Sequence, residues 1–246
     1  MGQLNAKPTA VPSCHAYANI ATMPTDVELI GHLSRFVTAE RLARMQSVLS
    51  QRTRYLTVVL EDIYQSHNAS AVLRSCDAFG VQDVHIIEKR NEYRVNPDIA
   101  LGSAQWLSLH KHVREAADTQ AVLSELKLRG YRIVATSPHS QGHILHDLPL
   151  DRGPLALVFG TELTGLSQEA MAMADDFVAI PMYGFVESFN ISVSVAICLS
   201  HICQAIRTAH LPWQLNQAQA NTILAEWLRG SIKHADEILA RLVGTE

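Results

Sequence analysis

The 246-residue chain is short of positive charge: 20 Lys and Arg stand against 24 Asp and Glu, a formal net charge of −4. No global basic field exists, so a nucleic-acid partner would have to be gripped by local patches. None of the four cysteines, Cys14, Cys76, Cys198 and Cys203, forms a C-x-x-C pair, and two of them sit inside apolar segments. That pattern points to reduced, buried thiols in a cytosolic protein. The opening residues, MGQLNAKPTAVPS, lack the hydrophobic core of a signal peptide. G-x-G-x-x-G does not occur, which weakens any Rossmann dinucleotide reading. "FGTELTG", Phe159 to Gly165, spaces its glycines as a phosphate loop does, but Leu166 and Ser167 stand where Lys-Ser/Thr should follow, so it is not a Walker loop. Internal repeats and low-complexity tracts are absent as well.

One long run carries no Lys, Arg, Asp or Glu at all, Ile191 to Ile206. It is short for a bilayer span and contains Ser192, Ser194, Ser200, His201 and Gln204, so it reads as a buried helix and the protein as cytoplasmic. What is present is an ordinary globular composition, 48% hydrophobic and 18% charged. Its length suits one large α/β domain with extensions or two small domains.

Residues 1 to about 24 hold three prolines and little periodicity, the mark of a loosely ordered arm. From Asp26 to Gln51 apolar residues recur at helical spacing, with Arg35, Arg41 and Arg44 on the polar side and Arg52 and Arg54 following. This is the most basic region and the candidate phosphate grip. Strand-like runs follow at "YLTVVLED", "DVHIIE", "YRIVATS", "LALVFG" and "FVAIPM", alternating with helical segments. Asn68 is a candidate N-cap and Gly80 the stop of the helix that follows "YLTVVLED". After Pro212, Trp213, Leu215, Ile223, Leu224, Trp227, Leu228, Ile232, Ile238 and Leu242 form the apolar stripe of one or two helices. Alternating strands and helices predict an α/β fold, a mostly parallel sheet with helices on both faces. Ligands in such sheets sit at the carboxyl ends of the strands. The histidines of "SPHSQGHILH", His139, His143 and His146, match no common zinc spacing and read as incidental.

Three strand-to-helix turns hold polar residues that a scaffold does not need: Glu61 through His67 and Asn68 to Arg74, Phe159 to Gly165, and Ile180 to Asn190. Asn190 can cap the helix that starts at Ile191, but capping needs one residue, and Glu187 and Ser188 crowd beside it. Together "HNASAVLRSCDAFG", "LALVFGTELTGLS" and "IPMYGFVESFNISVSVAICL" resemble motifs one, two and three of the SpoU/TrmH RNA ribose 2′-O-methyltransferases, of the SPOUT class, in order and spacing. The resemblance covers roughly Leu56 to Arg207.

The resemblance implies a SPOUT-type domain over residues 51–210 with a C-terminal trefoil knot, an arm and basic helical extension over 1–50, and a helical extension over 211–246. It implies S-adenosylmethionine as cofactor and a homodimer whose interface helps build the site. It also implies methylation of a ribose 2′-hydroxyl in tRNA, with a D-loop guanosine as the target. Ribosomal RNA or another tRNA position is the sister reading, and a non-catalytic RNA-binding dimer with a vestigial pocket the alternative. By motif position the catalytic set is Asn68, Arg74, Glu162, Ser188 and Asn190, and the cofactor contacts are Phe159, Gly160, Ile180, Met182 and Phe189. Leu163 stands where such enzymes tend to carry lysine, and Glu187 and Phe189 where they favour glutamine and leucine. A guanidinium stays protonated, so Arg74 suits phosphate binding and alkoxide stabilisation better than proton abstraction. Glu162, Glu61 and His67 are rival proton acceptors.

Overall fold

Val58, Val59 and Leu60 lie in the middle of the sheet, buried on both faces, and their strand organises the rest. The computed structural model describes residues 24–63, 65–90, 102–113, 118–138 and 142–243. The expected N-terminal arm, up to residue 23, Cys14 and His139 lie outside them. Seven strands run in chain order: β1 Leu56–Glu61, β2 Asp83–Glu88, β3 Ser108–Val113, β4 Arg132–Thr136, β5 His143–Ile144, β6 Leu155–Phe159 and β7 Asp176–Ala179. They form one sheet of order β3-β2-β1-β6-β4-β7-β5 with every pairing parallel. Val58 registers with Val84 on one side and Leu157 on the other. All six β1 residues are buried, which explains its nearly unbroken apolar sequence. β6 inserts between β1 and β4 after β4 and β5 have run outward, so the carboxyl ends of β4, β6 and β7 share one crevice.

One face of the sheet is covered by α3 (Ser66–Phe79) and α6 (Ile191–Thr208), whose Val72, Leu73, Cys76, Val195, Leu199 and Ile202 pack on Leu56, Leu60 and Leu157. The opposite face carries α4 (Thr119–Leu128) and α5 (Gln168–Met173), with Val122, Leu123, Leu126 and Ala170 against Val59, Ile133 and Val158. A third core joins the two extensions: Leu33, Met45 and Leu49 from the N-terminal side meet Ile223, Leu224, Trp227 and Leu228 from α7 (Gln217–Ser231), with Ala235 at the start of α8 (Ala235–Val243). The uncharged Ile191 to Ile206 run is thus a core helix that buries Ile191, Val195, Cys198, Leu199, Ile202, Cys203 and Ile206. Burial pushes the Cys76 thiol far up, and the Cys198 and Cys203 thiols to about 12 and about 11, so all three stay protonated.

The single helix expected over Asp26 to Gln51 is two. α1 (Asp26–Leu33) starts at a Thr25 capping box, a 3₁₀ turn fills Ser34–Phe36, and α2 (Ala39–Leu49) restarts where the Thr38 side chain accepts from Arg41 N at 3.2 Å. Asn68 is not a cap. Gln65 takes that place in extended backbone, and Asn68 is buried in the first turn of α3. Gly80 does end α3 with φ 79°, and a Cβ there would lie 2.5 Å from Gln51 O. β3 and β5 have no counterpart in the sequence reading.

Arg52 requires a correction. It is 1% exposed, paired with Asp77, donates to Val81 O and lies over the Trp227 ring. Its guanidinium joins the extensions to α3, so an RNA phosphate has no access to it. Arg54 is largely spoken for as well: its Nε donates to Asp83 at 2.8 Å. Arg35, Arg41 and Arg44 are exposed.

Candidate active site

Gly160 ends β6 and begins a closed turn. Thr161 and Gly165 exchange backbone hydrogen bonds of 3.0 Å, and Gly165 takes φ 67°. A Cβ on Gly160 would lie 2.2 Å from the Gly165 carbonyl and 2.4 Å from Leu166 N, both backbone that cannot step aside. Only glycine fits there. The turn presents Glu162 and the fully exposed Leu163 outward.

This turn is one wall of a cavity of about 450 Å³ at the crevice. Thr136, Ser137 and Pro138 close it from the end of β4; Ala179, Ile180 and Met182 close it after β7; Ser188 and Phe189 close it before α6. All five expected cofactor contacts, Phe159, Gly160, Ile180, Met182 and Phe189, line it, as do Glu162 and Ser188. The sequence reading missed Thr136 to Pro138. The strand-end rule applied to "YRIVATSP" was the available signal.

Residues far apart in sequence meet at its rim. Asn68 Nδ2 donates to Glu162 Oε1 at 3.0 Å and to Gln65 Oε1 at 3.2 Å. Asn190 Nδ2 donates to the same Glu162 oxygen at 2.8 Å and to Asn68 Oδ1 at 3.0 Å. Asn190 Oδ1 caps α6, accepting from Ser192 N at 2.9 Å and Ser192 Oγ at 2.6 Å. The three motifs are therefore tied through one carboxylate oxygen, and among the described residues Glu162 Oε2 has no partner. Arg74 stands apart. It is exposed on α3, does not line the cavity of its own chain, and has no ion pair or hydrogen bond among the described residues. Glu61 does not line the cavity either. It is 3% exposed and fully engaged by Ser167, Thr119 and Lys89, which removes it from the rival proton acceptors.

The model of the SpoU rRNA methylase family matches residues 55–200, the segment that carries all of this geometry. The chain belongs to the SpoU family. A tRNA (guanosine(18)-2′-O)-methyltransferase of Borreliella burgdorferi is 44% identical over 205 residues, 83% of this chain and 92% of that one. The enzyme of that name from Escherichia coli K12 is 36% identical over 159 residues, 65% of this chain and 67% of its own length. Among solved structures the A. aeolicus TrmH/SpoU tRNA modifying enzyme superposes with a TM-score of 0.70 at 31% identity, covering 79% of this chain and 98% of that one. The sheet strands β1 to β7 and the rim network all fall within residues 55–200, which the SpoU family model matches.

Proposed function

We propose that the chain is an S-adenosylmethionine-dependent methyltransferase acting on the ribose 2′-hydroxyl of guanosine 18 in tRNA. The observation that carries the reading is the joining of Asn68, Glu162 and Asn190 at the rim of the cavity. The names of the relatives support the tRNA substrate and the nucleotide. The cavity suits the cofactor: Phe159, Ile180, Met182 and Phe189 offer apolar walls, and the side-chain-free Gly160 lets a ligand approach the backbone. S-adenosylmethionine supplies an electrophilic methyl group when bound. The chain's own residues align and deprotonate the nucleophile. Asn68 and Asn190 fix Glu162, Ser188 borders the same space, and Glu162 Oε2 is open to a proton from the 2′-hydroxyl. Arg74 binds a substrate phosphate and stabilises the developing alkoxide.

Arg74 reaches such a site through a second copy. Ala71 and Ser75 of α3 and Ser192, Val193, Ala196 and Ile197 of α6 border a shallow face next to Arg74 that runs on to His201 and Gln204. Tyr183, Phe185 and Val186 stand exposed on the neighbouring loop. A two-fold homodimer across this face covers them and carries Arg74 toward the partner's cavity. The trefoil knot implied by the resemblance and a cytoplasmic location belong to the same proposal, and Arg35, Arg41 and Arg44 supply further phosphate contacts.

Co-expression of Arg74→Ala with Gly160→Ala tests the shared site. Each variant alone is inactive. Random pairing makes half the dimers mixed, with one intact site each, so about a quarter of parental activity returns. No recovery from confirmed mixed dimers would mean that Arg74 does not act across the interface.

A further inference from the structure

Glu61 ends β1 with its carboxylate out of water and outside the cavity, yet it touches the element that forms the cavity wall. Glu61 Oε2 accepts from Ser167 N at 2.8 Å, and Oε1 accepts from Ser167 Oγ at 2.7 Å, from Thr119 Oγ1, and from Lys89 Nζ at 3.3 Å. Ser167 is the N-cap of α5, its Oγ accepting from Ala170 N at 3.1 Å. It directly follows the turn that carries Glu162. Burial alone would raise the Glu61 carboxyl, but the donations from Ser167 and Thr119 and the charge of Lys89 outweigh it and hold the group below its ordinary range. The carboxylate is therefore a fixed anion that gathers β1, β2, α4 and the start of α5.

The turn between Phe159 and Ser167 has two anchors. Gly160 is wedged against Gly165 and Leu166 at one end, and Glu61 holds Ser167 at the other. We infer that Glu61 is a positioning residue for the cofactor wall: it sets Thr161 to Leu166 through Ser167 and acts on cofactor affinity without touching the reacting atoms. The inference rests on the methyltransferase reading above. A scaffold could bury an alkyl side chain here; a carboxylate with four donors fixes the register of one particular turn.

The test uses the full chain and S-adenosylhomocysteine as probe, titrated by calorimetry well below the melting temperature, beside methyl-transfer kinetics on a tRNA transcript. Glu61→Gln keeps the shape but loses the charge toward Lys89 and one acceptor toward Ser167. Its Kd for the probe should rise about tenfold, the factor expected for one charge-assisted hydrogen bond. The KM for tRNA should stay within about twofold, and saturating cofactor should restore most of kcat. Glu61→Asp, which keeps the charge on a shorter arm, should fall between. If Glu61→Gln does not fold, Ser167→Ala removes the side-chain half of the same link, leaving the Ser167 N donation, and should weaken the probe in the same direction by a smaller factor. Probe affinity within twofold of the parent in a folded variant, whatever its melting temperature, makes Glu61 merely structural and overturns the inference. So does kcat lost with Kd unchanged, which would make Glu61 a proton acceptor. If the parent itself failed to bind the probe, the cofactor reading would fall first and this inference with it.

Discussion

Asn190 has two duties that substitution can separate. Its side-chain oxygen caps α6 through Ser192, and its amide nitrogen ties Glu162 to Asn68 at 2.8 and 3.0 Å. Asn190→Ala removes both. Loss of the cap alone costs about 1 kcal/mol, or about 2–4 °C of melting temperature at this chain length. Asn190→Ser keeps an oxygen that can cap, so its stability should stay within about 0.5 kcal/mol of the parent. Asn190 itself is exposed and its bond to Glu162 is open to water, so loss of the amide adds little to unfolding beyond the part-buried bond to Asn68. In the site the loss matters more, because Glu162 and Asn68 are no longer held together. Both variants should drop at least about tenfold in kcat/KM, equivalent to about 1.4 kcal/mol of transition-state stabilisation. Urea unfolding followed by far-ultraviolet circular dichroism, beside methyl transfer to a tRNA transcript, reads the two effects independently. Full activity in Asn190→Ser would refute the reasoning, since the cap alone would then account for this residue.

Gly160→Ala should abolish binding of S-adenosylhomocysteine, because a methyl 2.2 Å from the Gly165 carbonyl forces the turn away; calorimetric affinity within a few-fold of the parent would contradict this. Arg52→Ala should destabilise the fold by about 1.5–3 kcal/mol, the usual loss of a charge-assisted hydrogen bond whose carboxylate stays partly exposed, while Arg44→Ala should leave unfolding unchanged and weaken tRNA binding in a filter assay. The reverse pattern would restore Arg52 to the RNA surface. Burial, and then the neighbouring His110 and His112, hold the His85 imidazole down at about 3. The folded chain keeps it neutral while the unfolded chain protonates near pH 6.5, so stabilisation is complete above that pH and is lost as pH falls. The slope should reach about 1.4 kcal/mol per unit, or about 2 kcal/mol between pH 6.5 and 5. Urea midpoints across that window should flatten in His85→Phe, and equal slopes in both proteins would remove His85 as the cause.

The parallel sheet was legible because its central strands are buried on both faces and read as short apolar runs, Leu56–Glu61 and Leu155–Phe159 above all. The cap at Asn190 was legible because one polar residue directly precedes an uncharged helix. β3 was not: "SLHKHV" is a half-exposed edge strand whose histidines and lysine resemble a loop. Asn68 reads as a cap because helix starts favour asparagine, yet its partners across the rim, Glu162 and Asn190, are tertiary neighbours 94 and 122 residues away. The burial of Arg52 was equally hidden, since Asp77 reaches it from α3 and Trp227 from the C-terminal extension, 25 residues away in sequence in the first case and farther in the second. Thr136 to Pro138 joined the cavity because β4 lies between β6 and β7, an order that no local pattern encodes. The motifs placed the five expected cofactor contacts on one cavity, whereas the separation of Arg74 from that cavity emerged only in three dimensions.

Incubation of the purified chain with methyl-labelled S-adenosylmethionine and unmodified tRNA, followed by mass-spectrometric mapping of the product, tests the central claim most directly. The account predicts one added methyl group, on the ribose of guanosine 18, and its loss in Arg74→Ala. Methylation of a base, or no transfer by a chain that binds the cofactor, would contradict it.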